Sequence, residues 1–301
     1  MNKDWEEIFT SWTKPPSDTE ESRCDNTVNM IQKAIDADEI LSKMTIEVFA
    51  QGSYANNTNV KLNSDVDICV RNMDYLFAVY PEGKTNADFG LSDSDYGYLT
   101  FKSQVENALV NYFCRREVTP GNKAFNIKSN SYRIEADVIV CFEHRRYTGE
   151  KDLYGNHSYL SGAEFRTEND SRIINWPKQQ IENGIKKNRE TNTQFKKVVR
   201  IFKKLNLEMI DSKIDIAGKI QSFLIECLCW NTPNHVFTAT QYIDIIRSSL
   251  GHLYNETKDA NKVKEWGEIN DLKYLFRSNQ PWKLEDVNTW TVKAWNYIGF
   301  E

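Results

Sequence analysis

Residues 51–70 read QGSYANNTNVKLNSDVDICV, and this stretch decides the fold. Asp65 and Asp67 stand two residues apart where a strand begins, so both carboxylates project from one face of that strand. The alternating Val66 and Ile68 then face the core. Neighbouring carboxylates repel each other unless cations neutralise them, and paired Mg²⁺ ions are the usual solution where phosphoryl groups are transferred. The stretch therefore predicts a metal site for a phosphorylated substrate.

A third acidic ligand and a phosphate-binding turn complete the predicted site. The sequence RIEADVIV at 133–140 places Glu135 and Asp137 on one face of a second strand, and Asp137 is favoured because it borders the apolar run. Upstream, Gly52 and Ser53 predict a turn whose backbone N–H groups and hydroxyl hold a triphosphate. Each motif alone is weak, but the three together predict phosphoryl transfer.

The composition is that of a globular protein. Of the 301 residues, 40% are hydrophobic, 27% charged and 12% aromatic, which argues against disorder. No stretch approaches the roughly 18 uncharged apolar residues of a membrane helix, and the N-terminus carries acids where a signal peptide would be basic and apolar. We predict a soluble, cytoplasmic protein with no membrane partner, and a monomer is the simplest state.

Cysteine and histidine spacing indicates neither disulfides nor zinc. None of the six cysteines forms a CxxC pair and four lie in apolar surroundings, so buried reduced thiols are expected. The four histidines are scattered without a metal-ligand spacing.

Positive charge is concentrated in one segment of an acidic chain. Residues 171–204 carry ten Lys or Arg against Glu182 and Glu190, whereas the whole chain has a net charge of −5. A local basic segment fits a compact polyanion such as a nucleoside triphosphate better than long duplex nucleic acid. On charge alone, a solvated Lys-rich helix face remains an equal alternative.

The pattern along the chain predicts strands first and helices later. The expected helices cover 17–44 (with Ser17 or Asp18 as N-cap), 98–116, 178–210, 216–230, 238–252, 259–276 and 286–298, the strands cover 45–50, 66–70, 125–128 and 132–142, and 147–175 forms a hairpin or lid. This order predicts an α+β protein with a catalytic domain at 1–175 and a helical domain at 176–301.

The motifs resemble those of a known family. The order G-S, then D-x-D, then a distant D is similar to that of the polymerase-β-like nucleotidyltransferases. A closer resemblance is to the CD-NTases, the cGAS/DncV-like enzymes of bacterial antiphage signalling. It is carried by the segments IEADVIVCFEHRRY, INWPKQQIENG, FKKVVRIFKKL, QSFLIECLCW and LFRSNQPW. The resemblance covers nearly the whole chain. It implies a polymerase-β-like core and a C-terminal helical bundle, bridged by the long N-terminal helix.

The resemblance also implies roles for individual residues. It makes Asp65, Asp67 and Asp137 the ligands of two Mg²⁺ ions, for which Mn²⁺ could substitute. It places Gly52, Ser53 and Ser222 against a triphosphate and stacks Phe223 on a base. It also places Asn175 against the edge of a base, and at least one base of the product is expected to be a pyrimidine. The phosphate grip is either Lys196 with Arg200 and Lys203, or Lys197 with Arg200 and Lys204, because each set shares a helix face.

The implied activity is synthesis of a cyclic dinucleotide or oligonucleotide from nucleoside triphosphates, with release of pyrophosphate. The product would activate a downstream effector in CBASS-type defence. The zinc-binding insertion of the animal DNA sensor is absent, so no DNA ligand is expected. The alternatives are a template-free RNA-tailing nucleotidyltransferase, which predicts a broad basic surface, and a non-catalytic nucleotide-binding module, which predicts loss of an acidic ligand.

Overall fold

The computed structural model describes residues 3–60 and 65–301. The chain divides into two compact units. The sheet unit comprises Ser17–Tyr54 and Leu62–Lys178, and the helical unit comprises Met1–Pro16, Ala55–Lys61 and Gln179–Glu301. This division differs from the single boundary expected between 175 and 176, because two N-terminal segments belong with the C-terminal helices.

Within the described residues the chain forms nine α-helices and seven β-strands. The helices are α1 (Trp5–Trp12), α2 (Asp18–Asp36), α3 (Gly52–Ala55), α4 (Tyr98–Phe113), α5 (Pro177–Glu190), α6 (Gln194–Asp211), α7 (Ser222–Asn231), α8 (Tyr242–Thr257) and α9 (Leu284–Ile298). The strands are β1 (Ile46–Gln51), β2 (Val66–Val79), β3 (Val118–Pro120), β4 (Phe125–Ile127), β5 (Ala136–Lys151), β6 (His157–Arg166) and β7 (Arg172–Asn175).

The seven strands form one mixed sheet. Its main path runs β1-β2-β5-β4-β3, and β6 pairs with β5 while β7 pairs with β6. The β2–β5 pair is parallel, and the other pairs are antiparallel. The parallel pair joins the two strands that begin with acidic motifs.

One face of the sheet packs on α2 and α4. Val66 and Ile68 of β2 are fully buried and share a core with Ile31 of α2 and Leu109 of α4. Alternation along β2 therefore leaves its other row, which includes Asp67, on the opposite face. Ser17 caps α2 by accepting a hydrogen bond from the Glu20 N–H at 3.3 Å. Of the two predicted N-cap residues, Ser17 and Asp18, the structure thus has Ser17.

The helical unit has its own apolar core. Phe202 of α6 packs against Trp290 of α9 with ring centroids 5.8 Å apart. Trp5 and Phe9 of α1 are buried in the same core. Burial of these two aromatic rings explains why the N-terminal segment, expected in the catalytic domain, belongs with the helices.

Several predicted element boundaries are wrong for local reasons. The helix expected over 17–44 ends at Asp36, because the Asp38 carboxylate then accepts hydrogen bonds from the N–H groups of Ile40 and Leu41. The helix expected over 178–210 is two helices, separated where Asn192 and Thr193 take left-handed φ values of 49° and 66°.

Two further predictions also fail locally. No helix forms over 259–276, where Asp259 and Asn270 accept hydrogen bonds from backbone N–H groups two residues ahead and so stabilise turns. The strand expected from 132 begins at Ala136, since Asn130 holds Tyr132 in a turn in the same way.

Two further features of the chain are the state of its cysteines and the hydropathy of its helices. All six cysteines are free thiols and only Cys114 is exposed. Among residues 3–60 and 65–301, every helix is too short or too polar to cross a membrane.

Candidate active site

Gly52 lies directly against the carboxylate of Asp67. The last residue of β1, Gln51, pairs with Asp67 of β2, so the chain turns beside that aspartate. Gly52 has a left-handed φ of +68°, and a Cβ added to it would overlap Asp67 Oδ2 and lie 3.3 Å from its Cγ. Glycine alone meets both conditions without strain. The Gly52-Ser53 turn expected from the sequence is the start of the one-turn helix α3.

Asp67 and Asp137 are direct neighbours on parallel strands. The register of β2 and β5 pairs them, so their side chains lie on the same face of the sheet. Both are half-buried. Asp65 is exposed immediately before β2, and the Val66 N–H donates to the Glu135 carbonyl at 2.9 Å. The two acidic motifs therefore begin side by side.

Asn126 contacts both acids of the second motif, a role that the sequence did not predict. It pairs with Asp137 in the β4–β5 register. Its Nδ2 donates to Glu135 Oε1 at 2.9 Å and to Asp137 Oδ1 at 3.3 Å. These bonds fix the orientation of the two carboxylates. The sequence places Asn126 in a strand but gives no sign of which strand it pairs with.

Tyr54 and Glu20 form a second contact beside the predicted phosphate turn. The Tyr54 hydroxyl donates to Glu20 Oε1 at 2.7 Å, and Glu20 is buried in the first turn of α2. The hydrogen bond holds the residue after Ser53 to a second element of the sheet unit. A pairing over 34 positions leaves no periodic signal in the sequence.

The donor chemistry fits a hard divalent cation. Carboxylate oxygens are the ligands that Mg²⁺ prefers, and Asp67 and Asp137 present them together beside Gly52. Within the described ranges, no three His, Cys, Asp or Glu side chains form a ready group that could hold a metal ion. The structure thus brings together a carboxylate pair, with Asp65 adjacent in sequence.

Arg200 and Lys203 of α6 are buried in the helical unit. Arg200 donates from Nε and Nη2 to the Thr13 carbonyl at 2.8 and 2.6 Å, and from Nη1 to the Asn57 carbonyl. Lys203 forms an ion pair with Glu226 of α7. Burial lowers the pKa of Arg200 to about 10. These two side chains hold protein groups, so neither predicted set of three forms one cluster of free cations.

Lys196 and Lys204 flank Arg200 one helical turn away on either side. Burial lowers the pKa of Lys196, and the positive charge of Arg200 lowers it further. Burial lowers the pKa of Lys204, with additional effects from the charges of Arg200 and Lys14. Mutual repulsion among these cations would be relieved by a bound anion. The structure therefore groups one lysine from each predicted set around Arg200.

Ser222 and Phe223 occupy the first turn of α7. Ser222 is the exposed first residue of the helix, where backbone N–H groups favour an anion. Phe223 is half-buried, packs against the core of the helical unit and has its ring 6.0 Å from that of Trp282. Phe223 is thus at least in part a core aromatic.

Asn175 is the last residue of β7 and is not in a turn. It pairs with Ala163 of β6 and is half-buried. The next residue, Trp176, is buried between His144, whose ring centroid is 5.2 Å away, and Arg146, whose guanidinium lies 5.1 Å from the ring. A Cβ on Gly162 would come within 2.7 Å of the Asn175 carbonyl oxygen. This packing fixes the backbone that carries Asn175.

Comparison with known proteins agrees with this architecture. A family model described as the cGAS/DncV-like nucleotidyltransferase C-terminal helical domain matches residues 182–299. The cyclic dipyrimidine nucleotide synthase CdnE of Cecembia lonarensis is 44% identical over 301 residues, covering 100% of both chains. The enzyme of the same description from Legionella pneumophila is 37% identical over 300 residues and 99% of both chains. The solved structure of Rhodothermus marinus CdnE c-UMP-AMP synthase with Apcpp and Upnpp has a TM-score of 0.85, 27% identity and 98% coverage of both chains.

The fold and the full-length relatives together define a nucleotidyltransferase. The chain belongs to the CD-NTase family of cGAS/DncV-like nucleotidyltransferases. The curated relatives above are named synthases of cyclic nucleotides, and the solved relative binds nucleotide analogues. The family, the α+β fold class and the nucleotidyltransferase activity predicted from the sequence are confirmed.

Proposed function

We propose that this protein joins two nucleoside triphosphates into a cyclic dinucleotide that contains at least one pyrimidine, with release of pyrophosphate. The observation that carries the proposal is the Asp67–Asp137 pair beside Gly52. The two full-length relatives named as dipyrimidine synthases support the pyrimidine. The half-buried strand position of Asn175 supports its contact with a base edge, since an amide offers a donor and an acceptor together.

The carboxylates would hold two Mg²⁺ ions, for which Mn²⁺ is expected to substitute. Asp65, Asp67 and Asp137 are the proposed ligands. When bound, the ions neutralise the carboxylates and the phosphates and lower the pKa of the attacking hydroxyl. Asp137, oriented by Asn126, accepts the proton of the hydroxyl that attacks the α-phosphate in line. The Gly52 and Ser53 turn positions the triphosphate of the donor nucleotide.

The helical unit would bind the phosphates and the base. Lys196 and Lys204 contact the triphosphate, while Arg200 adds its charge from a fixed position between them. The exposed Ser222 hydroxyl at the start of α7 meets a phosphate, and Phe223 presents its free edge to a base. The carboxylates of catalysis then lie in the sheet unit, and the helical unit adds contacts to the nucleotides, in a cytoplasmic monomer.

The product would be a second messenger of CBASS-type antiphage defence that acts on a downstream effector. Membership of the CD-NTase family supports this placement. Nothing in the proposal requires DNA, because the net charge of −5 leaves no excess of basic residues for a long polyanion.

Incubation with the four nucleoside triphosphates tests the proposal. The protein and Mg²⁺ are mixed with each triphosphate labelled in turn, and the product is treated with phosphatase and mapped with nucleases. A phosphatase-resistant product that contains uridine or cytidine supports the proposal. Extension of an added RNA primer would support the tailing alternative, and absence of pyrophosphate release would support a binding module.

A further inference from the structure

The chain between the two catalytic motifs is held by the helical unit. Residues 55–60 follow Gly52 and Ser53 in the chain, precede Asp65, and belong to the helical unit. Asn56, Thr58 and Asn59 of this segment are 3%, 2% and 4% exposed, although all three side chains are polar. Buried polar side chains need hydrogen-bond partners, and the partners of Thr58 identify what holds the segment.

Thr58 is bound by a buried ion pair. Its hydroxyl donates to Glu226 Oε1 at 2.8 Å, and the same oxygen accepts from Lys203 Nζ, which lies 3.4 Å from the Thr58 hydroxyl. The side chains of Lys203 and Glu226 are 2% and 4% exposed. A buried ion pair adds little to stability compared with an apolar pair of the same volume, so its value here is that one oxygen of Glu226 meets both Lys203 and Thr58.

Arg200 holds the same segment by its backbone. Its Nη1 donates to the Asn57 carbonyl, while Nε and Nη2 donate to the Thr13 carbonyl. Asn57 has a left-handed φ of 52°, which an Asn adopts more readily than most residues. Thr13 lies four residues before Ser17, where the chain enters the sheet unit. One guanidinium thus fixes two segments that lead into that unit.

On the basis of the proposed function, we propose that Lys203, Glu226 and Arg200 are positioning residues that hold Asn57 and Thr58 and so steady the phosphate turn that precedes them. They restrict the movement of residues 57 and 58, which closely follow the phosphate turn at Gly52 and Ser53. Misplacement of reacting groups by about 1 Å costs about a hundredfold in rate. This role explains why Arg200 and Lys203 of α6 contact protein carbonyls and a carboxylate.

The Thr58→Val variant tests the anchor with little change in volume. It removes the hydroxyl that reaches Glu226 and keeps the Lys203–Glu226 pair. The matched control is Thr232→Val, since Thr232 is 1% exposed in the same unit and its hydroxyl donates only to the Leu228 carbonyl of α7 among the bonds described, at 3.0 Å. Both variants are compared with wild type in nucleotide turnover, and in amide hydrogen exchange without nucleotide.

We expect Thr58→Val to lower kcat by about tenfold or more, with KM changed less than about twofold, because the loop and not the phosphate contacts is perturbed. Amide exchange in residues 55–60 should accelerate about tenfold, the equivalent of one hydrogen bond lost. Thr58→Ser should restore both values. Wild-type turnover and exchange in Thr58→Val, or equal losses in Thr232→Val, would overturn the proposal.

A second variant keeps the proposal testable if Thr58→Val fails to fold. Arg200→Lys retains the positive charge but loses the fork that spans the Thr13 and Asn57 carbonyls. It should also lower kcat and accelerate exchange at 55–60, whereas a rise in KM alone would overturn the anchor. If the wild type makes no cyclic product, the proposed function fails, while exchange in Thr58→Val still reports on the anchor itself.

Discussion

Replacement of Gly52 by alanine separates backbone strain from a contact with Asp67, the proposed catalytic carboxylate. An alanine at a φ of +68° costs about 1–2 kcal/mol of stability, because its Cβ crowds the carbonyl oxygen. The added Cβ also overlaps Asp67 Oδ2. The carboxylate must move by about 1 Å to reach ordinary van der Waals contact, and such a displacement lowers the rate by about a hundredfold.

Gly90→Ala is the matched control for this experiment. Gly90 has the same φ of +68°, but a Cβ there meets no atom within 4 Å. Both variants should therefore lose similar stability in urea unfolding, and only Gly52→Ala should lose kcat in a pyrophosphate-release assay. Equal kcat values for the two variants would refute the assignment of Gly52 as the residue that sets the position of Asp67.

Three further predictions concern single side chains. Lys196→Ala should raise KM for triphosphates more than it lowers kcat, because charge on non-reacting phosphates contributes uniform binding, and unchanged saturation curves would contradict that role. Burial lowers the pKa of Lys187 to about 8, below its value in the unfolded chain. The cost of burying the charged Lys187 is present in full below about pH 8 and is relieved as the pH rises, because the side chain then loses its proton. Between about pH 7.5 and 9.5, the unfolding free energy of wild type should therefore rise by about 2 kcal/mol relative to that of Lys187→Met. Parallel curves of unfolding free energy against pH for the two proteins would refute this prediction. Asn175→Ser should weaken the preference for UTP or CTP in an equimolar mixture, and an unchanged base ratio would make Asn175 structural.

The carboxylate site was predictable because its signal is local. Alternation of Asp65, Val66, Asp67 and Ile68 gives the strand, the buried row and the polar row at once. The Ser17 cap of α2 follows from the same kind of short-range chemistry. A two-residue period does not show which strands pair. The contact of Gly52 with Asp67 and the hydrogen bonds of Asn126 therefore could not be predicted without the register of the sheet.

Contacts between residues far apart in the sequence account for the remaining differences between the predicted and the observed structure. The helical periodicity of α6 places several cations on one face, but only the fold shows that Lys203 meets Glu226 and that Arg200 meets Thr13. The burial of Trp5 among the C-terminal helices likewise depends on a contact far along the chain. Sequence patterns predict which face of an element is polar, whereas the fold determines what that face contacts.

The most direct test of the catalytic site is the double substitution Asp65→Asn with Asp67→Asn, compared with wild type in Mg²⁺ and labelled triphosphates. Wild type should form a cyclic product, and the variant should form none. Without metal, the unfolding free energy of the variant should be unchanged or slightly higher, since neutral amides remove the repulsion between carboxylates. Cyclic product formed by the variant at the wild-type rate would contradict the assignment of these aspartates to catalysis.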